Sequence, residues 1–500
     1  MKHQQAVPFL GDYVDGRFLR TKTPDGEWTV RSPGDLEDEV ISLDYSFQHV
    51  DEACRAAKEA FPHWSALRFE ERRPYLMRLR ELFLTHADEM ATLISRETGK
   101  QLWETQVEAK ALASKIDITL NSSLKLVENV VVENALPGVR GEIKYRPRGV
   151  MAVIGPFNFP AHLPNGHIIP ALATGNTVVF KPSELTPAVG QFMAQLIDRA
   201  QFPKGVFNLV QGRGEVGERL TLSDQVDGVL FTGSYEVGLK IKQSTMTHFW
   251  KILALEMGGK NASIVWDDCD FEKAIYENLV SAFGSTGQRC SCTSRILVHR
   301  KIADKYVERF YAQAKKLSIG HWSQNNFMGP LISESAVEKY VRFQGIATRE
   351  EAESLMRGKP LELEPSGHYV TPSIHRIKAF REDSVYQKTE IFGPNVAIYT
   401  VDDLEEAIHI NNSTGFGLVV SLFSNDRSKY ERLTREASNG LINWNRGTVG
   451  ASSQLPFGGM GKSGNHQPSA HFAVYYCTVP VACLEDPTPF DKSKLPPGVE

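Results

Sequence analysis

Apolar positions in the first third of the chain recur every three or four residues. The runs "DEACRAAKEAFPHW" (51–64) and "YLMRLRELFLTHADEMATLISRETGK" (75–100) show it best, and this spacing predicts helices. From residue 149 the period changes. "GVMAVIG" is a short β-rich run, "HLPNGHIIPALATG" is helix-like, and "NTVVFKP" is again apolar and short. The alternation continues through "TPAVGQFMAQLIDRA", "GVFNLVQG", "EVGERLTLS", "DGVLFTG", "SYEVGLKIKQST" and "WKILALEMGG". Short apolar strands between helices of ordinary length predict a parallel sheet with right-handed crossovers. A second set follows: a helix over 270–284, the strand "RILVHR", the helix "KIADKYVERFYAQAKKL", and further pairs up to "GLINWN". The C-terminal "HFAVYYCTVPVACL" alternates like a lone strand, which needs a partner, often a second subunit.

At 500 residues the chain is too long for one core, so two or three domains are expected. A charged fraction of 23% and a net charge of −4 fit a globular protein that recruits neither nucleic acid nor an anionic membrane. The start "MKHQQAVPFL" lacks the apolar centre of a signal peptide, and no apolar run approaches the roughly 18 residues of a membrane span. A soluble cytoplasmic protein is expected. Six cysteines in such a length make no disulfide framework. Cys290 and Cys292 lack a second Cys or His pair at zinc spacing, so no metal site is expected.

The stretch "GSTGQRCSC" (284–292) puts Cys290 after a predicted helix, between polar residues and glycines. Such a thiol is either packing or a nucleophile whose pKa the helix end and Arg289 depress. "GPFNFP" (155–160) holds Asn158 between prolines, either as a turn cap or as a fixed donor to an oxyanion. "LALEMGGKN" ends an apolar strand on Glu256, either a surface carboxylate or a buried general base with a raised pKa. "GRGEVG" (212–217), containing Gly214, fits a dinucleotide turn or an ordinary tight turn. "FTGSYEVG" (231–238) places Gly233 at a sharp turn and Ser234 at a helix start, as a plain N-cap or as a phosphate seat. Lys181 and Glu184 in "FKPSELTP" are a solvated charge pair or stand beside a nucleotide ribose.

These segments, with "EIFGP" and "PFGGMGKSG" in the same order, resemble the aldehyde dehydrogenase superfamily over roughly residues 10 to 485. The resemblance implies an α/β fold with two Rossmann-like parallel-sheet domains and a small β oligomerisation domain. It assigns 1–128 and 148–257 to NAD binding, 258–464 to catalysis, and 129–147 with 465–500 to oligomerisation, as a homodimer or homotetramer in which the last strand joins a partner's sheet. By the same resemblance Cys290 is the nucleophile, Asn158 the oxyanion donor and Glu256 the base. Pro156, Phe157, Lys181, Ser183, Glu184, Gly214, Phe231, Gly233, Ser234, Gly258, Glu390 and Phe392 would hold NAD, with NADP as the alternative. Within the superfamily, "HLPNGHI", "GASSQLPFGG" and "SGNHQPSA" are similar to the branch that oxidises an N-succinylated amino-acid semialdehyde. That likeness puts Arg446 and Ser452 at the substrate's anionic tail, with Arg446 as a mere anchor of its own loop the equal alternative. Two departures stand out: Lys260 replaces an expected Asn, and residues 335–385 match that branch poorly. A broad-range or glutamate-semialdehyde-type dehydrogenase is the alternative. Acyl transferases have no use for "FKPSELTP", CoA-acylating relatives usually lack Glu256, and a silent structural relative would not need all three of Cys290, Glu256 and Asn158.

Overall fold

The computed structural model describes residues 5–499. Two seven-stranded sheets dominate it. The first runs in the order Ile252–Glu256, Gly228–Thr232, Val150–Ile154, Thr177–Lys181, Phe207–Leu209, Asp12–Val14, Arg17–Leu19. Its first five strands are parallel; the last two join antiparallel. Both faces are covered, which is why the strands read as unbroken apolar runs. Met151 and Val153 point into one core, beneath the helices Phe69–Thr85, Leu102–Asn121, His162–Ala173 and Pro187–Arg199. Val150 and Ala152 point into the other, with Val50, Ala53 and Val216 of the helices Phe47–Ala66 and Gly214–Leu222.

The second sheet runs Glu353–Met356, Ser373–Ile377, Asn395–Val401, Thr293–His299, Asn261–Val265, Val419–Phe423, Leu441–Trp444. Only Glu353–Met356 is antiparallel to its neighbour. Strand residues alternate here too, with Ile264 and Leu297 in one core and Val265 and Ile296 in the other.

In the first sheet the chain moves outward from Val150–Ile154 in one direction and then returns to its other side at Gly228–Thr232. Such a switch opens a crevice at the carboxyl ends of the strands. Ile154, Lys181, Thr232 and Glu256 all stand there.

Three expectations change. The first third is not simply helical: four strands precede residue 46, and Gly26–Ser32 pairs with Asp35–Tyr45 as a hairpin. The run 75–100 is two helices, Phe69–Thr85 and Ala87–Thr98, parted at His86 and closed by Gly99 in the left-handed conformation (φ 73°). The C-terminal strand is not alone. Thr478–Glu485 pairs antiparallel with Val139–Pro147 of the same chain, and Val130–Leu136 completes a three-stranded sheet. Residues just before it belong elsewhere: Ala473, Tyr476 and Cys477 are buried in the first domain's core, so the separate sheet begins at Thr478 and not at 465.

Candidate active site

One cavity of about 1320 Å³ lies between the two sheets. Its centre is built by the loop that carries Cys290. The helix Phe271–Phe283 starts on Asp270, whose carboxylate accepts from the Lys273 amide at 3.1 Å. After it, Ser285 and Thr286 both take the left-handed backbone (φ 51° and 56°), which L-residues rarely adopt. Partners hold them there. Glu104 Oε1 accepts from the Ser285 amide at 2.9 Å and its hydroxyl at 2.7 Å, and Thr286 Oγ1 donates to the Gly329 carbonyl at 3.0 Å. Asn261 Nδ2 then donates to the carbonyls of Cys290 (2.7 Å) and Cys292 (2.9 Å). Cys290 is left half-buried on the cavity wall; Cys292 is buried and does not line it.

The thiol is not activated in the way expected from sequence. Burial pushes Cys290 up to about 12, and the carboxylates of Glu390 and Glu256 add to the effect. Arg289 does not offset them, because its guanidinium is bound to Glu104 (2.7 Å) and Ser285 Oγ (2.8 Å).

Glu256 ends the edge strand of the first sheet. That edge is sealed by Asn465, which donates to the Leu253 carbonyl (2.7 Å) and accepts from the Leu255 amide (2.9 Å). Glu256 is buried, Oε2 has no hydrogen-bond partner, and burial lifts its carboxyl well above the usual range. Asn158, also buried, donates from Nδ2 to the carbonyl of Gln288 (3.0 Å), two residues before the cysteine. Its own carbonyl accepts from Lys100 Nζ at 2.8 Å. Its side-chain Oδ1 accepts from the Phe159 amide at 3.1 Å, so the side-chain amide is fixed from both ends, and all three residues line the one cavity.

Glu390 and Phe392 approach from the second domain. Glu390 Oε1 accepts from the Gly259 amide at 2.8 Å, and burial raises its pKa to about 7. Gly258 leaves room for it: a Cβ there would stand 1.9 Å from Glu390 Oε2 and would displace the carboxylate. The Phe392 ring meets Phe157 edge-on at 5.8 Å.

A second arm of the cavity runs over the carboxyl ends of the first sheet. Lys181 is buried, donates to the Pro182 carbonyl (2.9 Å), and its Nζ lies 3.7 Å from Glu184, whose side chain is 45% exposed. Ser183, Phe231, Gly233 and Gly214, which opens the helix Gly214–Leu222, line the same arm. Ser234 caps the helix Tyr235–Ser244 by accepting from the Val237 amide (3.3 Å) and also faces the cavity. A Cβ on Gly233 would run into the Phe231 ring.

One candidate is not there. Arg446 donates to the carbonyls of Gly450 (2.5 Å) and Val449 (3.5 Å), so it staples its own loop and does not line the cavity. The loop's Ser452 and Ser453 do line it. Sequence reasoning overlooked Lys115, His162 and Gly166, which line it as well. The signal for Lys115 was weak: it shares the helix's buried side with Leu112 and Ile116, but also with Glu104 and Glu108. Among the described residues no cluster of His, Cys, Asp and Glu is arranged to hold a metal, and no helix is long and apolar enough to cross a membrane.

Comparison with known proteins agrees with this arrangement. The model of the aldehyde dehydrogenase family matches residues 24–480. N-succinylglutamate 5-semialdehyde dehydrogenase of Acinetobacter baylyi is 39% identical over 97% of this chain and 98% of its own. The enzyme of that name from Serratia proteamaculans is 42% identical over 89% and 90%. Among solved structures, lactaldehyde dehydrogenase from Escherichia coli superposes with a TM-score of 0.89 at 30% identity, covering 95% of this chain and 98% of that one. Betaine aldehyde dehydrogenase from Staphylococcus aureus in complex with NAD+ superposes with 0.91 at 28%, covering 98% and 97%. The chain belongs to the aldehyde dehydrogenase family.

Proposed function

We propose that this enzyme oxidises N-succinylglutamate 5-semialdehyde to N-succinylglutamate with NAD. The observation that carries the chemistry is the meeting of Cys290, Glu256 and Asn158 on one cavity wall beside the arm of Lys181, Glu184 and Gly214. The substrate follows from the relatives' activity, and the cavity's volume of about 1320 Å³ has room for it.

The second arm fits a dinucleotide. The starts of the helices Gly214–Leu222 and Tyr235–Ser244 offer free amides and a favourable dipole to phosphates. Lys181 and Glu184 would flank the adenosine ribose, and Glu184, acceptor only, repels a 2′-phosphate, which favours NAD over NADP. Glu390 and Phe392, with Pro156, Phe157 and Gly258, would hold the nicotinamide end near Cys290. When bound, NAD supplies the two-electron acceptor that turns a thiohemiacetal into a thioester.

The chain's own groups do the rest. Cys290 gives its proton to the Glu256 carboxylate, which passes it on to solvent, and the sulfur attacks the aldehyde carbon to give the thiohemiacetal. Asn158, held by Gln288, and the Cys290 amide face the oxygen where negative charge gathers. Glu256, whose buried carboxylate is a strong base, takes a proton from the water that hydrolyses the thioester. Cys290 leaves as thiolate and the product as a carboxylate.

We further assign the three-stranded sheet to self-association as a homodimer or homotetramer. It carries exposed Val130, Val131, Val132, Leu136 and Leu484, an apolar patch that water disfavours. Light scattering on the purified protein reports the subunit number. We place the enzyme in the cytoplasm, where six free cysteines stay reduced. The substrate assignment is tested by NADH formation. kcat/KM for N-succinylglutamate 5-semialdehyde should exceed that for propanal by about a hundredfold or more. Equal values would remove the substrate and leave the family untouched.

A further inference from the structure

The helices Leu102–Asn121 and His162–Ala173 wall one part of the cavity with an unusual group. Lys115 is 1% exposed. Its ammonium has three donors, yet it makes one hydrogen bond, to the Ala470 carbonyl at 2.7 Å. Among the described residues no carboxylate lies within ion-pair distance of it. The carboxylates of its own helix are engaged elsewhere: Glu108 by Lys100 Nζ (2.5 Å) and the amides of Ala161 and His162 (both 3.2 Å), Glu104 by Arg289 (2.7 Å), and Asp117 by Arg80 (2.7 Å). A buried cation without a counter-ion is costly, and such groups persist where a ligand completes them. Burial pulls Lys115 down to about 8, which leaves it mostly charged at neutral pH.

Two features of the facing helix point the same way. The Nδ1 of His162 is buried without a partner. Gly166 stands one turn further along, and nothing lies within 4 Å of where its Cβ would be, so the cavity is open there. His167 adds no charge: it is bound to the Tyr476 hydroxyl (2.7 Å) and to Thr232 Oγ1 (3.3 Å), and burial pulls it down to about 3.

We propose that Lys115, with Nδ1–H of His162 and the open space at Gly166, receives a carboxylate of the substrate's tail. This rests on the anionic-semialdehyde reading above and names its receptor. Arg446, tied to its own loop, is left without that role.

The test compares the unaltered enzyme with Lys115→Met. The ratio of kcat/KM for N-succinylglutamate 5-semialdehyde to that for propanal should fall by about a hundredfold, carried by KM and not kcat. Glutarate, a dianion that needs no turnover, should raise the Tm of the unaltered enzyme and not that of the variant. The ligand-free variant should melt above the unaltered enzyme, because an uncompensated buried cation is gone; a purely structural lysine would give the opposite. An unchanged ratio, or a glutarate shift that survives the substitution, overturns the proposal. Should the unaltered enzyme show no preference for the anionic aldehyde, the substrate reading falls, and the glutarate shift still decides on Lys115. If Lys115→Met does not fold, Gly166→Leu fills the open space. It should then lower the ratio by about tenfold, and an unchanged ratio would again overturn the proposal.

Discussion

The two arms of the cavity handle charge in opposite ways. In the arm assigned to the cofactor, Lys181 faces Glu184 at 3.7 Å, and two helix starts and several glycines line the wall. In the arm assigned to the aldehyde, Lys115 has a single carbonyl and His162 Nδ1 has nothing. A paired charge shapes a site that is complete before its ligand arrives. An unpaired one stores a cost that only a complementary ligand removes. Half-buried Cys290 and buried Glu256 stand at the junction, each pushed toward its neutral form.

The strongest way to break the comparison is to remove the junction. Cys290→Ala should lower dehydrogenase activity by about 10⁴-fold or more while NAD binding, read by fluorescence titration, persists. Cys292→Ala, off the cavity wall, should keep most activity. A dead Cys292→Ala beside an active Cys290→Ala would move the nucleophile two residues along. Glu256→Gln comes next. The thioester should form and then hydrolyse slowly, giving a burst of about one NADH per subunit followed by a steady rate lowered about 10²- to 10³-fold. A steady rate equal to the unaltered enzyme's would exclude the base role.

The raised thiol gives a pH prediction of known sign. With Cys290 pushed up to about 12, the free enzyme holds its nucleophile as the neutral thiol near pH 7. Alkylation of Cys290 by iodoacetamide should quicken by about tenfold per pH unit from roughly pH 7 to 9, since only the thiolate reacts. A flat profile would mean that the thiolate is already formed, and that a neighbour supplies the missing positive charge.

How much of this was legible in the sequence depends on what each residue answers to. Parallel strands show themselves because burial on both faces forbids polar residues, so Val150–Ile154 and Thr177–Lys181 stood out. The early strands did not: Gly26–Ser32 and Asp35–Tyr45 carry Glu27, Arg31, Asp38 and Glu39 in a hairpin that is partly exposed, which blurs the alternation. Motif residues such as Gly258 are readable because a side chain there would displace the Glu390 carboxylate. The Cys290 pKa was not readable, because it turns on burial beside Glu390 and Glu256, and for Arg446 the sequence left two readings open. Arg446 reaches back to Gly450 and Arg289 turns to Glu104, contacts set by three-dimensional packing and invisible to spacing. Lys115 was passed over because, on a helix that also carries Glu104 and Glu108, one more charge looks solvated until its burial and lack of a counter-ion are known.

Within the paired arm the expected effects are smaller. Glu184→Gln removes a partly exposed charge, so its influence on a 2′-phosphate is worth on the order of 1 kcal/mol. The ratio of NADP to NAD efficiency should rise several-fold. Equal use of the two cofactors by the unaltered enzyme would show that Glu184 does not face the 2′ position.

The smallest effect is expected at Arg446, and it is informative because it is small. The side chain is exposed and its bonds go to two carbonyls of its own loop. If the aldehyde's tail is received by Lys115, Arg446 only steadies the loop that brings Ser452 to the cavity. Arg446→Ala should then change kcat/KM for the anionic aldehyde by less than about threefold, equivalent to roughly 0.6 kcal/mol, the scale of an exposed contact. The shift should be similar for propanal, since a looser loop affects every substrate alike. A selective loss of about tenfold or more for the anionic aldehyde alone would show that Arg446 swings inward when substrate binds. The contrast between a completed arm and a waiting one would then have to include the loop.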